Sequence, residues 1–161
     1  MSYLLLPADG RLKKLAFEIE RERNHALDLA PALADELLAL VLSGRKRATA
    51  DLASEFLHRG DSLPRIGSHW IACDSTGAPR IIIRSTEFRI GPSTSVDAQF
   101  AFDEGEGDRT LATWTRDHRE YWARVSAARG AVWDPSEDVI FERFSVVGAP
   151  EFADAAPAQM S

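Results

Sequence analysis

The sequence predicts an α+β fold, an antiparallel sheet or small barrel with helices packed on it. Three observations carry this. Apolar residues recur at helical spacing over the first third of the chain and again after residue 110. Between and beyond these stretches lie β-rich runs, two of them joined by a polar, glycine-containing loop. Helices and strands do not alternate as βαβ units do, which speaks against a doubly wound sheet.

The composition is that of an ordinary globular protein, 45% apolar and 27% charged over 161 residues, enough to bury one sizeable core. We divide the chain into a helical extension (1–30), one domain (31–148) and a flexible tail (149–161) rich in alanine and proline. The start carries Leu4-Leu5-Leu6 without a basic flank, a poor signal peptide. No stretch approaches membrane-spanning length, so a cytoplasmic protein is expected. A net charge of −6 argues against indiscriminate polyanion binding, which needs a broad excess of cations.

In chain order, residues 10–23 set Leu12, Leu15, Phe17 and Ile19 among charges as an amphipathic helix. Pro31 suits the first turn of a second helix, whose apolar face (Leu33, Leu37, Leu38, Val41, Leu42) ends at Gly44. A short helix capped by Asp51 is expected over 51–58, before Gly60. Residues 68–73 and 80–90 then form the arms of a hairpin around Asp74 to Pro79. A short helix over 95–102 runs into Asp103-Glu104-Gly105-Glu106-Gly107-Asp108. The best helix spans 110–129, with Leu111, Trp114, His118, Tyr121, Trp122 and Val125 at spacings of three and four, and Gly130 stops it. Residues 138–147 close the fold as a strand.

Chemistry points to two loops. The first is Gly44-Arg45-Lys46-Arg47-Ala48-Thr49, in a chain whose only other lysines are Lys13 and Lys14. Lysine, unlike arginine, can act as a base when desolvated or crowded by like charge. Arg45 and Arg47 flank it, which favours its neutral form. The bland alternative is a helix C-terminus with Gly44 as cap and cations on the last carbonyls. The second loop gathers Asp103, Glu104, Glu106 and Asp108 around two glycines, and Asp108 alternatively caps the following helix. Opposite charges in two loops would set each other's protonation if they met across a cleft.

Other classes find little support. The histidines (His25, His58, His69, His118) make no pair at ligand spacing, so neither metal nor cofactor is expected. No glycine-rich phosphate loop follows a strand, and no local pattern marks a catalytic triad. Cys73, the lone cysteine, sits in an apolar run as a buried thiol.

The basic loop, Leu63-Pro64-x-x-Gly67, Gly77-x-Pro79, the Glu104-Gly105-Glu106-Gly107-Asp108 loop, Trp114 with His118, and Glu142 to Val147 together resemble the ASCH domain, and more closely its longer bacterial branch of predicted RNA-binding proteins. The resemblance spans roughly Leu33 to Val147. It implies a PUA-like small β-barrel with flanking helices and a cleft facing RNA, a nucleotide or a nucleoside. In a smaller ASCH branch, amidohydrolases remove the acetyl group of N4-acetylcytidine with the lysine and threonine of a Gly-x-Lys-x-x-Thr motif and a glutamate. Carried over, these are Lys46, Thr49 and Glu106, with Glu104 as the competing alignment. Another relative has been described as a ribonuclease. Arg47 departs from the pattern, where a small or hydroxylated residue is expected.

The residue types suit the roles. A threonine hydroxyl attacks once a base takes its proton, and a neutral Lys46 would serve. Glu106, crowded by Asp103, Glu104 and Asp108, would return a proton to the departing amine. If Lys46 stays charged, it binds a phosphate or polarises a carbonyl while Glu106 pairs with it. Arg45, Arg47 and Arg84 are the candidate phosphate or carbonyl contacts, and Trp133, in the loop after Gly130, is the candidate platform for a base. A non-catalytic RNA-binding module and a ribonuclease are the alternatives.

Overall fold

The computed structural model describes Tyr3–Leu5 and residues 31–148, so the helix expected over 10–23 and the tail lie outside the described residues. The elements are β1 (Tyr3–Leu5), α1 (Pro31–Leu42), β2 (Ala48–Leu52), α2 (Ala53–Arg59), β3 (His69–Cys73), β4 (Pro79–Pro92), α3 (Ala98–Glu104), α4 (Leu111–Ala128) and β5 (Asp138–Gly148). The strands make one sheet in the order β1-β3-β4-β5-β2, every neighbouring pair antiparallel. Strands β2 to β5 curl as a half-barrel.

At β5 the sheet is buried on both faces, and the sequence of that strand shows it. A strand covered on one side alternates, whereas β5 runs Val139-Ile140-Phe141-Glu142 buried without interruption. Against one face, α1 packs Leu38 and Val41 onto Trp70, Ala72, Ile81, Ile83, Phe144 and Val146. Against the other, Phe100 and Ala101 of α3 and Trp114 and Trp122 of α4 pack onto Ala48, Leu52, Val139 and Phe141. Along β4, Ile81, Ile83 and Ser85 are buried while Ile82, Arg84 and Thr86 are exposed, the period of two expected of a pleated strand.

Two strands were not expected. Residues 48–52 form β2 against β5, where the sequence suggests a loop leading into a helix. Asp51 therefore does not cap α2; Leu52 occupies the N-cap position without a side-chain cap, and Asp51 instead accepts from the Arg59 guanidinium at 3.0 Å. Residues 3–5 pair with β3 as β1. The start of α4 is capped by Thr110, whose Oγ1 accepts from the Thr113 amide at 3.2 Å, and Asp108 accepts from the Thr110 amide at 2.9 Å.

Candidate functional site

The site forms where the end of α1 meets the end of α3. Beyond Leu42, Gly44 takes a left-handed conformation (φ 79°) and turns the chain back, so that the Lys46 amide donates to the Leu40 carbonyl at 3.0 Å. From the other side α3 delivers Glu104 as its last residue, and Gly105 follows, also left-handed (φ 79°). The two loops then touch backbone to backbone. The Arg47 amide donates to the Asp103 carbonyl at 2.7 Å, and the Arg45 guanidinium donates to the carbonyls of Gly105 (2.7 Å) and Gly107 (2.6 Å). A Cβ on Gly105 would lie 2.4 Å from the Arg45 carbonyl oxygen, so only glycine fits this approach. From β5, the Phe144 amide donates to the Arg47 carbonyl at 3.0 Å and Arg143 pairs with Asp103 at 3.0 Å.

This stitching drives Lys46 inward. It is 1% exposed, and its ammonium meets the Glu106 carboxylate at 2.6 Å, the Glu104 carbonyl at 3.3 Å and the Glu104 carboxylate at 3.6 Å. The crowding expected from Arg45 and Arg47 does not operate, because both guanidiniums are directed to backbone carbonyls, that of Arg47 to Val41 and Lys46 at 2.8 Å each. Carboxylates, not cations, surround Nζ. Glu106 is 39% exposed at its side chain and so forms the wet end of the cluster.

Glu104 is the dry end. Its carboxylate accepts from the Ala50 amide at 3.1 Å and from the Trp114 indole, and lies 3.3 Å from His118 Nε2. His118 Nδ1 faces the Trp114 carbonyl at 3.0 Å, and the ring stacks on Trp114 with centroids 4.1 Å apart. Both ring nitrogens thus face acceptors, which only the doubly protonated imidazolium satisfies. The electrostatics agree: burial opposes charge on His118, but Glu104 and Glu106 together raise its pKa above the ordinary value, against Lys46. Burial would likewise push the Glu104 carboxyl up, yet the charges of His118 and Lys46, with hydrogen bonds from His118 and Trp114, hold it at about 2. Two cations and two carboxylates therefore balance.

The structure brings Lys46, Glu104 and Glu106 together. Thr49 lies close by along the chain but faces elsewhere. Ala48 and Ala50 point into the Trp114 cluster, so the intervening Thr49 leaves the opposite face of β2, where its register partner is Glu142. Among the described residues no side-chain hydrogen bond joins Thr49 to Lys46 or Glu106. Arg84 pairs in register with His69 and Ser145, on the exposed side of β4. Trp133 is not an open platform: it packs against the second core cluster, 5.8 Å from the Trp122 ring.

A second polar cluster had no counterpart in the sequence reading. Glu142, 6% exposed, accepts from the Ser85 hydroxyl, which in turn accepts from Trp70 Nε1 at 3.0 Å. Burial pushes the Glu142 carboxyl up to about 7 against donors from Ser85 and Trp70 that favour its charge. Because the folded value lies above the ordinary 4.5, the penalty is absent below pH 4.5 and complete above pH 7. It amounts to about 3 kcal/mol. Glu142→Gln, which cannot ionise, is therefore expected to be more stable than the parent at pH 8.5 by roughly that amount, and no more stable at pH 4.5. Urea titrations at the two pH values check this, and equal gains at both would rule out the burial penalty.

Among the described residues no helix is long and apolar enough to cross a membrane, and no histidine, cysteine and carboxylate cluster could hold a metal ion. A sequence model described as the ASCH domain matches residues 25–148. The chain is similar in structure to the crystal structure of an ASCH domain from Lactobacillus crispatus JV V101 (TM-score 0.70, 22% identity), covering 88% of this chain and 99% of that one. It is also similar to a protein from Enterococcus faecalis V583 (TM-score 0.63, 26% identity), covering 83% and 89% respectively. No curated protein matches in sequence.

Proposed function

Because the chain belongs to the ASCH domain family, whose members are generally RNA-binding, we propose that its cleft takes a modified nucleoside, free or as a nucleotide of RNA, and hydrolyses an acyl amide on the base. One observation carries the reading. A fully buried lysine is covered by a carboxylate that is itself 39% exposed, so an entering ligand meets Glu106 first and, on displacing it, reaches a desolvated positive charge. A carbonyl oxygen placed there is polarised strongly, since water no longer screens the ammonium. Thr49, whose side chain leaves the opposite face of β2, has to turn toward this carbonyl to supply the hydroxyl that attacks. Glu106, freed from Lys46 by that carbonyl, takes the proton of the attacking hydroxyl and passes it to the departing amine.

The phosphate-binding alternative draws less support from the geometry. It needs Arg45 and Arg47 to face solvent anions, whereas their guanidinium nitrogens serve the carbonyls that build the loops. Salt separates the two readings, because phosphate contacts lose affinity steeply as salt rises and capture of an uncharged nucleoside does not.

The test is incubation with N4-acetylcytidine and chromatography of released cytidine. Parent turnover is expected, falling roughly 10²- to 10⁴-fold in Glu106→Gln and lost in Lys46→Ala and Thr49→Ala proteins shown to be folded. Absence of turnover by the parent, together with salt-sensitive binding of single-stranded RNA, would replace this reading by an RNA-binding module, with RNA cleavage as the next assay.

A further inference from the structure

Glu106 covers Lys46 from a backbone that is held in place. The Arg45 guanidinium donates to the carbonyls of Gly105 at 2.7 Å and Gly107 at 2.6 Å, the residues immediately before and after Glu106. Gly105 is also pressed against the backbone of Arg45 and Lys46. Only the Glu106 side chain, 39% exposed, is left to turn outward. What leaves the pocket is therefore a single carboxylate, and the gap behind it has a carboxylate's size.

The charges that stay behind do not cancel. They are the Lys46 ammonium, the Glu104 carboxylate 3.6 Å from it, and the His118 imidazolium 3.3 Å from Glu104. Glu104 is not free to turn and cover Lys46, because its oxygens also accept from the Ala50 amide and the Trp114 indole. His118 is fixed as well: Nδ1 faces the Trp114 carbonyl at 3.0 Å, and the ring lies against Trp114 and Trp122 with centroids 4.1 and 5.0 Å away. Two cations against one carboxylate leave one positive charge in excess. Buried charge without a partner is costly, so a neutral occupant leaves the pocket unbalanced, and an occupant carrying one negative charge balances it. A phosphate monoester, at about −1.5 to −2 near neutral pH, overshoots.

We infer that the Lys46 pocket is an exchange site for one carboxylate-like group, taking a small carboxylate, or the oxyanion of a reacting acyl group, in the place of Glu106. The catalytic consequence rests on the amidohydrolase reading and deepens it. The pocket fits the charge that develops on the acyl oxygen better than the neutral carbonyl it starts from, and that difference is what accelerates a reaction. The acetate released by hydrolysis fits the same place. His118 acts through Glu104 as a positioning residue, since its charge is what makes the emptied pocket positive.

The experiment is chemical rescue of Glu106→Ala, read as the urea midpoint in sodium formate, acetate or phosphate at constant ionic strength, beside the parent. At pH 6 formate and acetate are expected to raise the midpoint of Glu106→Ala until the site saturates, multiplying its folding constant about tenfold at ten times their Kd. The parent, whose pocket is filled, should not respond. The charged groups facing His118 are Glu104 from α3, Glu106 from the loop before α4 and Lys46 from the loop before β2; its own helix adds the Trp114 carbonyl. Because His118 is charged below its folded pKa, the rescue should fade as pH climbs through that value. It should be absent from Glu106→Ala/His118→Gln, where Lys46 and Glu104 cancel each other; a merely structural His118 would alter stability without altering the response to formate. If Glu106→Ala is unfolded by itself, refolding in formate counts as the same result. Remaining unfolded in molar formate while Glu106→Gln folds overturns the inference. So does an equal rise in parent and variant, or a rise given by phosphate and not by formate. None of these measurements involves turnover, so a failure to hydrolyse N4-acetylcytidine with the rescue intact overturns the amidohydrolase and keeps the exchange site.

Discussion

Glu104→Ala is expected to lose roughly 3–5 kcal/mol of folding stability, the cost of breaking a buried ion pair from one side. The carboxylate is 1% exposed and serves two cations at once, Lys46 at 3.6 Å and His118 at 3.3 Å. Its removal leaves both buried, with only Glu106 and the Trp114 and Glu104 carbonyls to answer them. It also strips the Ala50 amide and the Trp114 indole of their acceptor, and buried donors left unpaired are themselves destabilising. Glu104→Gln keeps one acceptor and should lose less. Urea midpoints for the two variants would show the order; a loss below 1 kcal/mol for alanine would mean that the cluster is hydrated rather than dry. The parent should show the same interaction through acid. Held at about 2 against an ordinary 4.5, Glu104 contributes about 3 kcal/mol above pH 4.5 that disappears as pH falls to 2. His118 works the other way: raised above 6.5, its share is complete below pH 6.5 and lost as pH climbs through the folded value.

Gly105→Ala should be nearly as damaging, about 2–4 kcal/mol, for a different reason. The new Cβ would meet the Arg45 carbonyl oxygen at 2.4 Å, its carbonyl carbon at 2.7 Å and Lys46 Cα at 3.0 Å. Backbone cannot step aside as a side chain can, and this backbone is fastened to Leu40 and Asp103. The positive φ adds conformational strain of about 1 kcal/mol. Gly60 supplies the control, being left-handed too (φ 69°) but with nothing within 4 Å of an added Cβ. Gly60→Ala should lose only the conformational part. Thermal denaturation of the pair separates strain from collision, and equal losses would show that the loops do not meet as described.

How much of this was legible in the sequence depended on whether the cause was local. Helix α4 was readable because eighteen residues repeat their apolar face with helical period and Gly130 follows, although its cap is Thr110 and not the Asp108 that the sequence suggests. The strand β2 was not, since Ala48-Thr49-Ala50-Asp51-Leu52 contains no β-forming run and becomes extended only by pairing with β5, some ninety residues away. Lys46 and Glu106 stood out as rare or clustered residues, and the fold brought them together. Arg45 and Arg47 were read as ligand contacts because a side chain's charge is visible and its backbone partners are not. His118 looked like half of an apolar helical face; its charge depends on Glu104 and on the Trp114 carbonyl, neither of which spacing reveals. Glu142 was visible only as a residue of a closing strand, and its isolation from cations is a property of the sheet.

The stitching of the two loops by β5 also bears on when the site can exist during synthesis. Arg45 and Gly105 are 60 residues apart, and both loops are anchored to Arg143 and Phe144. Local helices can form as the chain emerges, but pairings of this separation must wait for their distant partner. Until residue 144 has cleared the ribosome, the anchors on Arg143 and Phe144 are missing, so Lys46 and Glu104 are expected to come together only as the last strand is made.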